Sequence, residues 1–282
     1  MANLEDVGRG SPEGIETHSG IPKLKRPKIQ LNNPATYALV ALFIVLWEIL
    51  AQAGIISSFI FPAPSVIFQT LWEGFASGEY VQPFFVTTSR LLSGFLVGGG
   101  TGLILGLLMG WSVSLRKTLD PIIAALHPIP KFSLLPMVLI IFGIGETSRI
   151  VMISIGAFFP MLINTMGGVL EISPTYFEVV QNYGASKLDL FKKVVLPGSL
   201  PFIMTGARLA LKSSLTISVG IEMVYGNTGL GSIAWLAWET MRMRHLYAII
   251  FIISLIGVAT NFALERLKRF LVPWHQDLIR SK

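Results

Sequence analysis

Residues 172–200 read ISPTYFEVVQNYGASKLDLFKKVVLPGSL and lie between two apolar runs, 149–171 and 201–226. The stretch is too polar to cross a bilayer, yet it is patterned. Pro174 suits the first turn of a helix, where its missing N–H costs nothing. Glu178, Val179 and Val180 then lead to Gly184, a natural helix stop. From Ala185 the chain restarts a helix with Ser186 as candidate cap. Leu188, Phe191, Val194 and Val195 fall on one side of it, and Lys187, Lys192 and Lys193 on the others. Pro197 is expected to end it. Two short helices about a glycine elbow form a docking element for a partner. An ordinary amphipathic loop is the plainer alternative.

Outward from this stretch, the chain is mostly membrane-like. Of its 282 residues 52% are hydrophobic and 13% charged, against about 25% charged in a soluble domain. Six spans can be drawn, at 35–55, 85–112, 121–143, 149–171, 201–226 and 246–267, each near the ~20 residues a bilayer requires. The net charge of +6 does not mark a nucleic-acid binder. Its lysines and arginines sit in short clusters between spans: Arg116 and Lys117, Lys187, Lys192 and Lys193, then Arg266, Lys268 and Arg269. The opposite connections hold only Arg149, Arg242 and Arg244. This asymmetry puts both termini in the cytosol, as an even number of spans requires. The organisation expected is a flexible cytosolic tail at 1–34, a transmembrane domain at 35–272 with the cytosolic segment 173–200, and a cytosolic tail at 273–282. The basic N-terminal tail lacks the apolar core of a secretory signal peptide.

Three spans carry internal features. The second holds Gly94, Gly98, Gly102, Gly106 and Gly110 at every fourth position, a stripe that lets another helix approach closely, in this subunit or in a second copy. Before it, Pro62 and Pro64 end the first helix. Ser65 is then expected to cap a short interfacial helix with Val66, Leu71, Trp72 and Phe75 on its apolar side. The third span contains Pro128, Pro130 and Pro136 around Lys131. Prolines break helices, and a lysine at mid-bilayer costs roughly 2.5–3.5 kcal/mol. Broken backbone at membrane depth needs cover by protein or a wet cavity, so Lys131 is expected to face the interior.

The intramembrane polar residues each have two readings. Lys131 lines a path for an anion, or it snorkels or pairs with Glu48 or Glu222. Glu222 belongs to a gate or pairs with a cation. Asn164 touches substrate or bonds a carbonyl freed by Pro160. Ser133, Ser214 and Ser218, with Ser213 and Thr216, line a polar path or join helices. Arg208 and Lys212 are accounted for by the positive-inside rule. No P-loop occurs; YGNTGLG at 225–231 lacks the lysine and reads as a loop before the last span. The four histidines have no metal-ligand spacing, and the absence of cysteine removes thiolate sites and disulfides. The chain therefore reads as non-catalytic by itself, with no cofactor or metal of its own.

The spacing of Glu178, five residues, Gly184, nine residues, then Val194, Leu196 and Pro197 resembles the EAA motif of bacterial ABC importer permeases, with Val179 and Val180 where the family usually has alanines. LDPII at 119–123, the stretch 129–150, GARLAL at 206–211, Glu222 in SVGIEMV, TGLG at 228–231 and PWH at 273–275 are similar to the nitrate, sulfonate, taurine and bicarbonate branch. The resemblance implies an all-α type I ABC importer permease fold of about six transmembrane helices, acting as a dimer in the bacterial inner membrane. It implies that Glu178, Val179, Val180, Gly184, Ala185, Ser186, Val194, Leu196 and Pro197 couple the chain to two separate ATPase subunits. Those subunits use the ATP and magnesium, and a substrate-binding protein docks outside. A vitamin-precursor permease of the same family and an ion-coupled secondary transporter are the alternatives. The latter usually carries an internal repeat, and none is visible.

Overall fold

The computed structural model describes residues 34–273; the two expected tails lie, but for their inner ends, outside the described residues. No strand occurs among these residues, which divide into two units, one up to Val45 and one from Leu46 onward. Helix α1 (Pro34–Gln52) starts in the first unit and ends in the second. The second unit continues with α2 (Pro64–Ala76), α3 (Val81–Trp111), α4 (Val113–Leu126), a 3-10 turn (Lys131–Leu134) leading into α5 (Leu135–Phe142), and α6 (Glu146–Leu170). Then come α7 (Pro174–Asn182), α8 (Lys187–Leu190), a π-helical turn (Phe191–Val195), α9 (Leu196–Tyr225), α10 (Leu230–Glu239) and α11 (Met243–Leu271). Helices α1, α3, α6, α9 and α11 are each long and apolar enough to cross a bilayer.

The glycine stripe packs within the subunit. A Cβ at Gly98 would collide with the Ser154 carbonyl. At Gly102 it would lie 2.5 Å from the Phe158 oxygen, and at Gly106 2.7 Å from that of Leu162. Gly94 meets Ile153 and Gly110 meets Val169. Backbone thus comes close to backbone at Gly98, Gly102 and Gly106, the contact that drives association where lipid removes the usual hydrophobic force. Position numbers rise together along the two helices, so α3 and α6 are parallel. On the other face of α6, Gly156 meets Ile217, Gly206 meets Asn164 and Gly168 meets Phe202, so α9 is antiparallel to it.

The third span is broken at its prolines, as expected: α4 and the segment 131–142 meet at 92°. Pro128 and Pro130 supply no N–H to continue α4, whereas Pro136 sits in the first turn of α5, where none is needed. Residues 113–120, read as a loop, begin α4, capped by the Ser112 hydroxyl on the Leu115 N–H. Pro197 does not end its helix. The Leu196 N–H reaches back to the Phe191 oxygen in the π-helical turn, and Pro197 follows in the first turn of α9, so the fifth span starts at 196. Ser65 does not cap α2; its N–H and hydroxyl go to Glu48, at 2.9 and 2.6 Å. Part of the loop before the last span is the helix α10. Beside α2, Tyr80 is fully buried, donates to or accepts from His245 Nδ1 at 2.8 Å, and is pushed up to about 12 by that burial.

Candidate functional site

The elbow at 172–200 forms as a helix–glycine–helix unit. Gly184 has φ +75°, the left-handed region that a side chain strains. Its N–H bonds the Gln181 oxygen at 2.8 Å, and the Ala185 N–H reaches Val180 at 3.3 Å, which closes α7. Ser186 then opens α8 with a reciprocal cap. Its hydroxyl accepts from the Asp189 N–H and donates to the Asp189 carboxylate at 2.6 Å. Asp189 also pairs with Lys193 at 2.9 Å. Glu178 and Val179 are exposed and Val180 half-buried, while Tyr183 stands 88% exposed at the tip. Val194 is buried, and Val180, Val194 and Pro197 line a cavity of about 490 Å³ beneath the elbow. Leu196 lies outside it. Trp111, at the end of α3, packs its ring 6.5 Å from Phe177 and 6.0 Å from Phe191. The C-terminal ends of α3 and α6 and the N-terminal end of α9 therefore gather at the elbow.

Midway along the bundle, the break between α4 and α5 opens a groove of about 580 Å³ against α6 and α9. Lys131, Asn164, His127, Lys212, Ser213 and Thr216 line it. Lys131 Nζ donates to the His127 oxygen at 2.6 Å and sits 5.4 Å over the Phe159 ring. Neither Glu48 nor Glu222 pairs with it. Asn164 donates its amide to the Pro160 oxygen at 2.7 Å, not to the Gly156 carbonyl that Pro160 leaves free, and it borders the groove. Ser133 is exposed and turns back to the Pro130 oxygen at 2.6 Å. Ser214 and Ser218 are fully buried in the packing of α9, and their hydroxyls have no partner among the described residues. The groove thus takes Ser213 and Thr216 from the serine–threonine run, and leaves Ser214 and Ser218 behind it. Arg208 and Lys212 also part. Arg208 binds Glu265 on α11, and Lys212 opens into the groove.

Glu222 lies at the opposite end from the elbow, in a buried knot. Arg90, 3% exposed, donates through Nε to Glu146 at 2.7 Å, through Nη1 to Glu222 and the Thr228 oxygen at 2.8 Å each, and through Nη2 to Glu146 and the Thr228 hydroxyl. Glu222 also accepts from the Thr87 hydroxyl at 2.7 Å and the Gly231 N–H at 3.0 Å. Arg149, read as an outer-loop charge, is 7% exposed and pairs with Glu146. Gly229, at φ +106°, lets the chain turn hard against the Glu222 carboxylate. Of this knot, Arg90 was invisible as a site residue. It stands inside an apolar span, and only the pairing of a basic and an acidic residue in separate spans signals it.

Residues 100–275 match the family described as the binding-protein-dependent transport system inner membrane component. The taurine transport system permease protein TauC of Escherichia coli (strain K12) is 30% identical over 244 residues, covering 85% of this chain and 89% of that protein. The nitrate import permease protein NrtB of Leptolyngbya laminosa is 33% identical over 187 residues, covering 66% and 67%. Among solved structures, a chain from inward-facing conformations of the MetNI methionine ABC transporter superposes with a TM-score of 0.57 at 21% identity, over 67% of this chain and 94% of that one.

Proposed function

The chain belongs to the binding-protein-dependent transport system inner membrane components, and on that premise we propose that it imports a small oxyanion of the sulfonate, taurine, nitrate or bicarbonate class. It is a multi-pass permease of the bacterial inner membrane. Permease subunits of this family do not hydrolyse ATP, so the energy comes from elsewhere. In this reading two copies form the path, two cytosolic ATPases bind ATP and magnesium, and a binding protein delivers the anion from outside. Both termini are cytosolic. The family favours neither a vitamin-precursor permease nor an ion-coupled carrier.

The observation that carries the coupling half of this reading is the elbow. Val179 and Tyr183 project from a capped unit whose turn depends on the left-handed Gly184. Such a knob fits a cleft in a partner, and its rigid link to α9 through Val194, Leu196 and Pro197 passes a push into the membrane. ATP closing the ATPases moves the elbow, the bundle re-tilts about the break at 127–134, and the path opens outward. The loaded binding protein docks on the outer connections near 144–148 and 226–245. Lys131, Ser133, Asn164, Ser214, Ser218 and Glu222 are proposed along or behind the path.

The test is co-purification. Deleting 178–197, or Gly184→Val, is expected to release the ATPase while the chain stays in the membrane. The valine adds roughly 1–2 kcal/mol of left-handed strain at the turn. ATPase retention by both variants refutes the coupling role.

A further inference from the structure

Lys212 is the residue that the positive-inside rule explains least well. Glu222 marks the outer end of α9, and Lys212 lies about ten residues before it, some ~15 Å deeper at helical rise. From Gly198, which packs on Ile172 at the inner end, it is about 21 Å away by the same rise. That places it well inside a bilayer whose core is ~30 Å thick. No carboxylate among the described residues pairs with Lys212 or with Lys131, and none lines the groove they share. By contrast Arg208, one turn away on α9, has found Glu265. An unpaired ammonium at membrane depth faces the bundle interior or a water-filled cavity, and Lys212 is exposed in the groove.

We propose that the groove between the α4–α5 break, α6 and α9 is an oxyanion subsite. The ammonium groups of Lys212 and Lys131 flank the anion, and Ser213 and the free amide hydrogen of Asn164 donate to its oxygens. The proposal rests on the reading of the chain as an importer of small anions, and it adds where the anion pauses and what holds it. The ligand is compact and carries planar or tetrahedral oxygens, because the groove offers point charges and hydroxyls in place of a second carboxylate. Lys131 also borders an apolar cavity of about 520 Å³ lined by Val97, Met137 and Phe158. That neighbouring space gives room for a short organic tail on the same anion.

The natural absence of cysteine permits a direct test. K212C is made in the full chain and assembled with its ATPase in nanodiscs of zwitterionic lipid, so that no anionic headgroup can occupy the groove. Its reaction rate with a sulfonate-bearing thiosulfonate reagent is compared with that of a trimethylammonium-bearing one. The anionic reagent is expected to react faster by about tenfold, the effect of a unit charge within ~10 Å in a wet groove, and adding K131Q is expected to remove most of that preference. Equal rates, a preference for the cationic reagent, or a preference that survives K131Q overturns the proposal. In proteoliposomes with binding protein and ATP, K131Q/K212Q is expected to lower uptake of taurine or nitrate at least about tenfold. Restoring a positive charge at K212C with an aminoethyl thiosulfonate is expected to recover much of the loss in the single variant. Uptake unchanged in K131Q/K212Q, with the unaltered complex active, also overturns the subsite. An unaltered complex that takes up neither anion defeats the importer reading instead, and the thiol rates still decide the subsite.

Discussion

Arg90 uses all its guanidinium nitrogens in one place. Its bonds to Glu146, Glu222 and Thr228 draw α3, α6, α9 and the turn before α10 into one knot. Removing one member of a buried ion pair strands the other, at about 3–5 kcal/mol. Arg90→Ala is therefore expected to lower the thermal unfolding midpoint in detergent sharply. Glu222→Gln keeps an acceptor for Thr87 and Gly231 and leaves Arg90 paired with Glu146. Its expected loss is that of one charge-assisted bond, about 1.5–3 kcal/mol. A midpoint for Arg90→Ala equal to that of the unaltered chain, or a smaller loss than for Glu222→Gln, contradicts the knot. The sequence exposed Glu222 as an anomaly but could not name its partner. The pairing joins residues more than a hundred positions apart, and only the parallel packing of α3 on α6 together with the antiparallel packing of α9 on α6 brings them level. Lys212 was hidden differently: a lysine one turn from Arg208 looks like one of a surface pair until Arg208 is seen to turn to Glu265 on α11 while Lys212 borders the groove. The elbow was far more legible, because Gly184 and Ser186 act on neighbours within four residues.

At the scale of elements, the stripe on α3 gives the cleanest contrast. Gly98 sits where a Cβ would strike the Ser154 carbonyl, whereas Gly100, on the same helix, would meet nothing within 4 Å. Gly98→Val must push α3 off α6 and is expected to cost about 1–3 kcal/mol or more through overpacking. Gly100→Ala is expected to be neutral or to stabilise by about 0.5–1 kcal/mol, since it restricts the unfolded chain and favours the helix. Unfolding of both variants in the same detergent checks this; equal destabilisation contradicts the stripe as the α3–α6 seam. The four-residue period made the stripe readable, and the prolines made the break in the third span readable. What failed were boundaries. Arg116 and Lys117 looked like loop markers but lie on the polar side of a capped helix. Pro197 looked like a stop, but a π-helical turn ahead of it absorbs the missing bond. Both errors have one cause: a local breaker signal is overridden when the turn beside it supplies alternative bonding.

For the whole molecule, the register of the glycine contacts decides the topology. Because α3 and α6 run parallel, the chain must return across the bundle between Trp111 and Glu146, and only α4 and α5 are available for this. The bent pair is therefore a true crossing, despite its 92° elbow, and not a re-entrant hairpin. With Trp111 edge-on to Phe191 and tilted against Phe177, the C-terminal end of α3 and the elbow share one side. The antiparallel contacts of α6 with α9, and of Arg208 on α9 with Glu265 on α11, then bring the last helix back to that side. Within the second unit this gives five crossings, by α3, the α4–α5 pair, α6, α9 and α11. The same cysteine-free background tests it in right-side-out vesicles with a membrane-impermeant thiol reagent. Cysteines replacing Ser114 and Tyr183 are expected to be protected, and one replacing Ile144, which is 79% exposed, to react. A C-terminal fluorescent-protein fusion is expected to glow, as such fusions do when they fold in the cytosol. Labelling of Ser114 and Ile144 positions from the same face would make the pair re-entrant and remove one crossing. The break would then be a plug in the path, and no longer the joint about which a crossing helix bends.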